Sequence, residues 1–143
     1  MKKIKWNYKN FFFNHDVNEI IKKVIELNKP VCLITCNSLL DIPFIEKLKL
    51  EVLVKKIIVV KSNPSLDFLI KSNFRLDGLT LIAIGGGRVI DFAKIMYWMS
   101  SFKYNLDVGN LFNHKIIRDF EASSNQQNSE NFFIIPTTTG TGS

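Results

Sequence analysis

The chain has 143 residues, 46% of them hydrophobic and 22% charged, which is typical of one globular domain with a sizeable core. No apolar run approaches the roughly 18–20 residues of a membrane span and no signal peptide is recognisable, so we expect a cytoplasmic protein. The net charge of +6 comes from scattered lysines, which favours a solvated surface over a nucleic-acid site. The two cysteines, Cys32 and Cys36, match no zinc or redox motif and are expected to be reduced thiols.

Apolar spacing divides the chain into alternating helices and strands. From Val17 to Ile25, apolar residues recur at i, i+3, i+4 and i+7, which predicts an amphipathic helix ending before Pro30. Apolar runs predict strands at residues 31–35, 57–60, 79–84 and 132–135. Further helices are predicted over residues 38–53 with an interruption at Pro43, over 66–74 and over 89–101, and residues 121–131 are predicted to form an exposed loop.

Strands that are apolar throughout and alternate with helices are typical of a parallel sheet covered on both faces. We therefore predict an α/β, Rossmann-like fold with a mostly parallel sheet and helices on both faces. In such sheets, ligands bind beyond the carboxyl ends of the strands. Three polar loops follow predicted strands here, at residues 36–38, 85–87 and 136–143.

The second of these loops is a run of three glycines, Gly85, Gly86 and Gly87. Without a Cβ, each can adopt positive φ and let a ligand approach the backbone. The helix that follows directs its first N–H groups back at the turn, which favours an anion such as phosphate. The spacing matches neither G-x-G-x-x-G nor a Walker A loop, so a turn that binds nothing is the alternative. The last loop adds hydroxyl donors, and two such loops together strengthen the phosphate hypothesis.

Three motifs, in this order and spacing, resemble the iron-containing alcohol dehydrogenase family, whose fold group includes glycerol dehydrogenase and dehydroquinate synthase. They are Asn63-Pro64-Ser65, the G-G-G-x-x-I-D-x-A-K run from Gly85 to Lys94, and the I-P-T-T-x-G-T-G-S ending. The ending is similar to the alcohol dehydrogenase branch. The resemblance covers only the N-terminal, nucleotide-binding part of the family. It therefore implies one dinucleotide-binding domain over residues 1–143, truncated after the last loop.

The resemblance implies NAD(P) as the cofactor. The glycines would approach its pyrophosphate, and the threonines of the last loop would bond it from the opposite side. The residues implied in cofactor binding are Gly85, Gly86, Gly87, Arg88, Asp91, Thr137, Thr138, Thr141, Cys36 and Asn63.

Two of these residues depart from the family pattern, and a third has two interpretations. Arg88 replaces the usual serine, so it could bond a phosphate, crowd the turn or point to solvent. Cys36 stands where relatives often carry an Asp for the ribose 2′-hydroxyl, which suggests that NADP(H) is tolerated or preferred. Asp91, expected in the first helical turn, could serve the cofactor or substrate, or could stabilise the helix dipole.

The family's catalytic Fe²⁺ or Zn²⁺ is held by one Asp and three His of a helical C-terminal domain, which we expect to be absent here. His15 and His114, the only histidines, fit no ligand pattern. The resemblance thus implies the cofactor-binding part of an alcohol dehydrogenase that interconverts a primary alcohol and an aldehyde, inactive as this fragment. A homodimer is a further expectation. The alternatives are a dehydroquinate-synthase-like lyase domain and a non-catalytic module that binds nucleotides or nucleic acid.

Overall fold

The computed structural model describes residues 17–61, 78–100 and 131–137. These residues form helices α1 (Val17–Glu26), α2 (Pro43–Glu51) and α3 (Gly87–Ser100), a 3₁₀ helix (Asn37–Leu39), and strands β1 (Val31–Thr35), β2 (Val54–Val59), β3 (Thr80–Gly85) and β4 (Phe132–Pro136). The helix predicted over residues 66–74 and the loop predicted over 121–131 lie outside the described residues, apart from residue 131 itself. No described helix is long and apolar enough to cross a bilayer.

The four strands pair in the order β2-β1-β3-β4, and every pair is parallel. The predicted α/β, Rossmann-like fold is confirmed. From β1 the chain moves outward to β2, and it then returns to the other side of β1 to form β3 and β4. This reversal of direction makes the point between β1 and β3 a topological switch point, and sheets of this kind bind ligands in a crevice beyond the carboxyl ends of the strands there.

Helices cover both faces of the sheet. Alternate residues of the central strands point to opposite faces, so each strand contributes side chains to both clusters. On one face, Cys32 and Ile34 of β1 pack in a cluster with Phe92 of α3. On the other face, Leu33 of β1 packs in a cluster with Ile21 of α1 and with residues of α2. Since β1 and β3 are buried along their whole length, the groups that a ligand could reach lie in the loops at their ends.

Three elements begin two or more residues from their predicted starts. Pro43 begins α2 instead of interrupting a longer helix, because a proline at the first helical position removes only an N–H that would lack an intrahelical partner. Strand β2 begins three residues early, at Val54, since its exposed residues Lys55 and Lys56 hid the strand from an apolar pattern. Helix α3 begins two residues early, at Gly87.

Two threonines are the buried polar residues of the described part of the chain, each 0% exposed. Thr35 Oγ1 donates a hydrogen bond of 2.9 Å to the carbonyl oxygen of Ile84. The hydroxyl of Thr80, at the opposite end of the sheet, has no hydrogen-bond partner. A buried hydroxyl without a partner loses its bonds to water and gains nothing in exchange. The same residue type is thus stabilising at one end of the sheet and costly at the other.

We expect Thr80→Val to raise the free energy of unfolding by about 1 kcal/mol, because it removes the unpartnered hydroxyl and keeps the side-chain shape. Thr35→Val is the matched control and should lower the free energy of unfolding by about 1 kcal/mol, since it deletes a buried hydrogen bond. Urea denaturation followed by circular dichroism measures both. Equal destabilisation by the two substitutions would contradict the assignment of Thr80 as unpartnered.

Candidate functional site

The glycine turn joins the carboxyl end of β3 directly to the amino end of α3. The carbonyl oxygen of Gly86 accepts hydrogen bonds from the N–H groups of Val89 (3.0 Å) and Ile90 (3.2 Å). Gly86 is therefore the N-cap of the helix. Helix geometry leaves the N–H groups of Gly87 and Arg88 without an intrahelical partner, directed back towards the strand ends. These two groups, together with the helix dipole, favour an anion at this end of the sheet.

The glycines of the turn do not adopt the positive φ that the sequence allowed them. Within the described residues, positive φ occurs at Asn28 and Gly78 and at none of the three glycines of the turn. Gly85 is required by close packing instead: a Cβ added there would lie 2.7 Å from both Cβ and Cγ2 of Val89. The absence of a side chain at Gly85 lets the first turn of α3 lie against the end of β3.

The last loop begins beside the glycine turn, as the sequence predicted. Gly85 and Pro136 are paired residues of β3 and β4. The N–H of Thr137, which is exposed, donates a 3.0 Å hydrogen bond to the carbonyl oxygen of Gly85. Two of the loops proposed to contact a dinucleotide therefore leave neighbouring strand ends. Thr138 and Thr141 lie outside the described residues.

The loop after β1 lies on the other side of the glycine turn, because β1 is the other neighbour of β3. Cys36 is half-buried, and its Sγ lies 3.3 Å from Oγ of the exposed Ser38. Asn37 is also exposed. No carboxylate occurs in this loop, and the first acidic residue after β1 is Asp41. The end of β1 thus offers a thiol, an amide and a hydroxyl, with no negative charge.

Both cysteines are free thiols, as the sequence predicted. Cys32 lies inside β1, where burial raises its pKa to about 11 although nearby Lys56 opposes the shift. A thiol with this pKa stays protonated and unreactive at neutral pH. Of the two cysteines, only Cys36 lies at the edge of the crevice.

The two charged candidates on α3 are both exposed. Arg88 is the second residue of the helix, with its guanidinium accessible to solvent or to an anion at the turn. The placement of Asp91 in the first turn was wrong: because α3 begins at Gly87, Asp91 is its fifth residue. Asp91 Oδ1 lies 3.9 Å from Nζ of Lys94, an exposed pair that adds little stability. Asn63 lies outside the described residues.

The described residues do not fit a catalytic metal ion, since no three of their His, Cys, Asp or Glu side chains come together. His15 and His114 lie outside the described residues. The described residues at the carboxyl ends of the strands are suited to binding an anion. The sequence did not identify Thr35 as part of this edge of the sheet, because it was interpreted only as the end of an apolar strand. Its hydroxyl donates a hydrogen bond to β3.

The fold and the turn define an α/β domain of the doubly wound type, with a helix amino end at its switch point. The family model of the iron-containing alcohol dehydrogenases matches residues 8–143. This chain belongs to the iron-containing alcohol dehydrogenase family. No curated protein and no solved structure gives a significant match.

Substituting Gly85→Ala should lower the free energy of unfolding by about 1–3 kcal/mol, because the added Cβ overpacks the junction of β3 and α3. Val89→Gly removes the atoms that the new Cβ would meet. The double variant should therefore be more stable than the sum of the two single losses predicts, by about 1 kcal/mol. Chemical denaturation of all four proteins gives this coupling, and strictly additive losses would contradict the contact.

Proposed function

We propose that the chain binds NAD(P) at the carboxyl ends of its strands and is the cofactor-binding part of an alcohol dehydrogenase. The reaction of the whole enzyme would interconvert a primary alcohol and an aldehyde. Family membership supports the reaction class, and the crevice supports the cofactor. The proposal concerns this domain's share of the reaction, which is to hold and orient the dinucleotide.

The observation that carries the proposal is the position of the amino end of α3. It lies at the switch point of the sheet, between the strand ends of β1 and β4. The N–H groups of Gly87 and Arg88 would donate to the pyrophosphate, and Thr137 would approach it from the loop after β4. The loop from Cys36 to Ser38 would contact the adenosine ribose. When bound, the nicotinamide supplies the acceptor or donor of the hydride.

Reduction of a carbonyl also needs a group that polarises it, and the described residues assemble none. We therefore assign to them the binding and orientation of the cofactor. The metal, the substrate and their ligands belong to the proposed whole enzyme, as does the homodimer. The purified 143-residue chain is expected to bind cofactor without oxidising alcohols, with or without added Fe²⁺ or Zn²⁺.

Arg88→Glu tests the anion site at the turn. The reversed charge should weaken binding of NADH about tenfold, because it removes a cation and adds a carboxylate beside the pyrophosphate. The same substitution should leave the free energy of unfolding unchanged or raise it by about 0.3–1 kcal/mol, since a carboxylate at a helix amino end is favourable. Because the affinity should fall while the free energy of unfolding does not, the two measurements distinguish a loss of binding from a loss of folding.

Titration of NADH into the protein, followed by nicotinamide fluorescence, measures the affinity. Lys94→Glu is the matched control, because it makes the same charge change on α3 nearly two turns away. Equal effects of the two variants would show that only overall charge matters. If the unaltered chain binds no dinucleotide but is retained on DNA in a salt-dependent way, the nucleic-acid alternative replaces the proposal.

The end of β1 predicts the choice between the two cofactors. With no carboxylate between Cys36 and Ser38, the 2′-phosphate of NADPH meets no like charge, so NADPH should bind at least as tightly as NADH. Cys36→Asp should lower the affinity for NADPH relative to NADH by about tenfold. Cys36→Asn is the uncharged control of nearly the same size. Parallel titrations with both cofactors decide this, and a strong preference of the unaltered chain for NADH would refute it.

A further inference from the structure

The central strands β1 and β3 are paired along most, but not all, of their length. Their backbone pairing ends at Ile34 and Ala83. The pairing of β3 with β4 continues further, to Gly85 and Pro136. At the switch point, therefore, the last residue of β1 and the last two of β3 are not paired with one another through the backbone. A side-chain contact there can influence the distance between the two loops that follow.

Thr35 makes that contact. Its Oγ1 donates a 2.9 Å hydrogen bond to the carbonyl oxygen of Ile84, one residue beyond the last backbone pair. The backbone carbonyl of Thr35 accepts a 2.8 Å bond from the N–H of Val60, so the residue is held from the β2 side as well. Because Thr35 is fully buried, water cannot take over the hydroxyl's role if it is removed.

The bond joins the two halves of the crevice. Thr35 directly precedes the loop from Cys36 to Ser38, and Ile84 directly precedes the glycine turn. On the opposite side of the turn, the N–H of Thr137 bonds the carbonyl oxygen of Gly85. The end of β3 is thus held from both neighbouring strands, by a side chain on one side and by the backbone on the other.

We propose that Thr35 is a positioning residue that sets the separation between the loop at 36–38 and the glycine turn. Its effect on ligands rests on the proposed function. A dinucleotide spans both loops, so its affinity depends on their separation. Inorganic pyrophosphate would occupy the turn alone, so its affinity does not depend on that separation. A threonine that only stabilised the fold would affect both ligands alike.

The test compares Thr35→Val with Thr35→Ser, which retains the hydroxyl. Thr35→Val should raise the Kd for ADP-ribose and for NADPH about fivefold to tenfold, with less than a twofold change for pyrophosphate. Thr35→Ser should bind all three like the unaltered chain. Calorimetric titration of the 143-residue protein, at a temperature where circular dichroism shows every variant folded, gives these values. Equal changes for dinucleotide and pyrophosphate overturn the proposal.

Amide hydrogen exchange gives a second readout that needs no ligand. Thr35→Val should accelerate exchange about tenfold in residues 36–39 and 86–90, with no change in α1. Val31→Ala, a buried substitution at the amino end of the same strand, controls for general destabilisation and should not produce this local pattern. If exchange accelerates locally but the unaltered chain binds no dinucleotide, the proposed function fails and the role of Thr35 stands. If exchange accelerates uniformly across the chain, or does not accelerate, the proposed positioning role of Thr35 is overturned.

Discussion

The close approach of α3 to the end of β3 is the constraint on which the site depends. The helix begins two residues after the strand ends, and its third residue, Val89, occupies the space beside Gly85. This sharp connection places the helix amino end at the switch point and not over a face of the sheet. The proposed anion site would draw on the backbone N–H groups and the helix dipole as well as on side chains. Gly85 is needed for this packing, and the proposed use of the turn in binding relies on the same geometry.

The three strand ends contribute unequally to this edge. The end of β4 is fixed to β3 by backbone pairing up to Pro136, so the last loop begins at a defined place. Beyond the last backbone pair, Ile34 with Ala83, the hydroxyl of Thr35 bonds the end of β1 to β3. The backbone thus pairs β3 with β4 further towards the crevice than it pairs β3 with β1. A small change in β1 should alter the site more than a comparable change in β4.

Sequence patterns predicted the fold class and the positions of the glycine turn and the last loop, because these features depend on residues that are close together in the sequence. Continuous apolar runs identified β1 and β3, which are buried on both faces, and the glycines marked the turn between strand and helix. The start of β2 was missed, since an edge strand carrying Lys55 and Lys56 lacks a buried pattern. Asp91 was misplaced because glycine disfavours helix in general, whereas Gly87 at a helix start costs little. The link from Thr35 to Ile84 joins residues 49 positions apart, which no local pattern contains.

Strand β2 lies at one edge of the described sheet, with β1 on its inner side. Its exposed lysines bear on how copies of the chain could meet. Two such edges aligned side by side would bring like charges together along a shared ladder, and edge lysines discourage that kind of pairing. The expected homodimer would then need a surface other than β2. The lysines that kept the start of this strand from being predicted also disfavour edge-to-edge pairing of β2 with β2 of another copy.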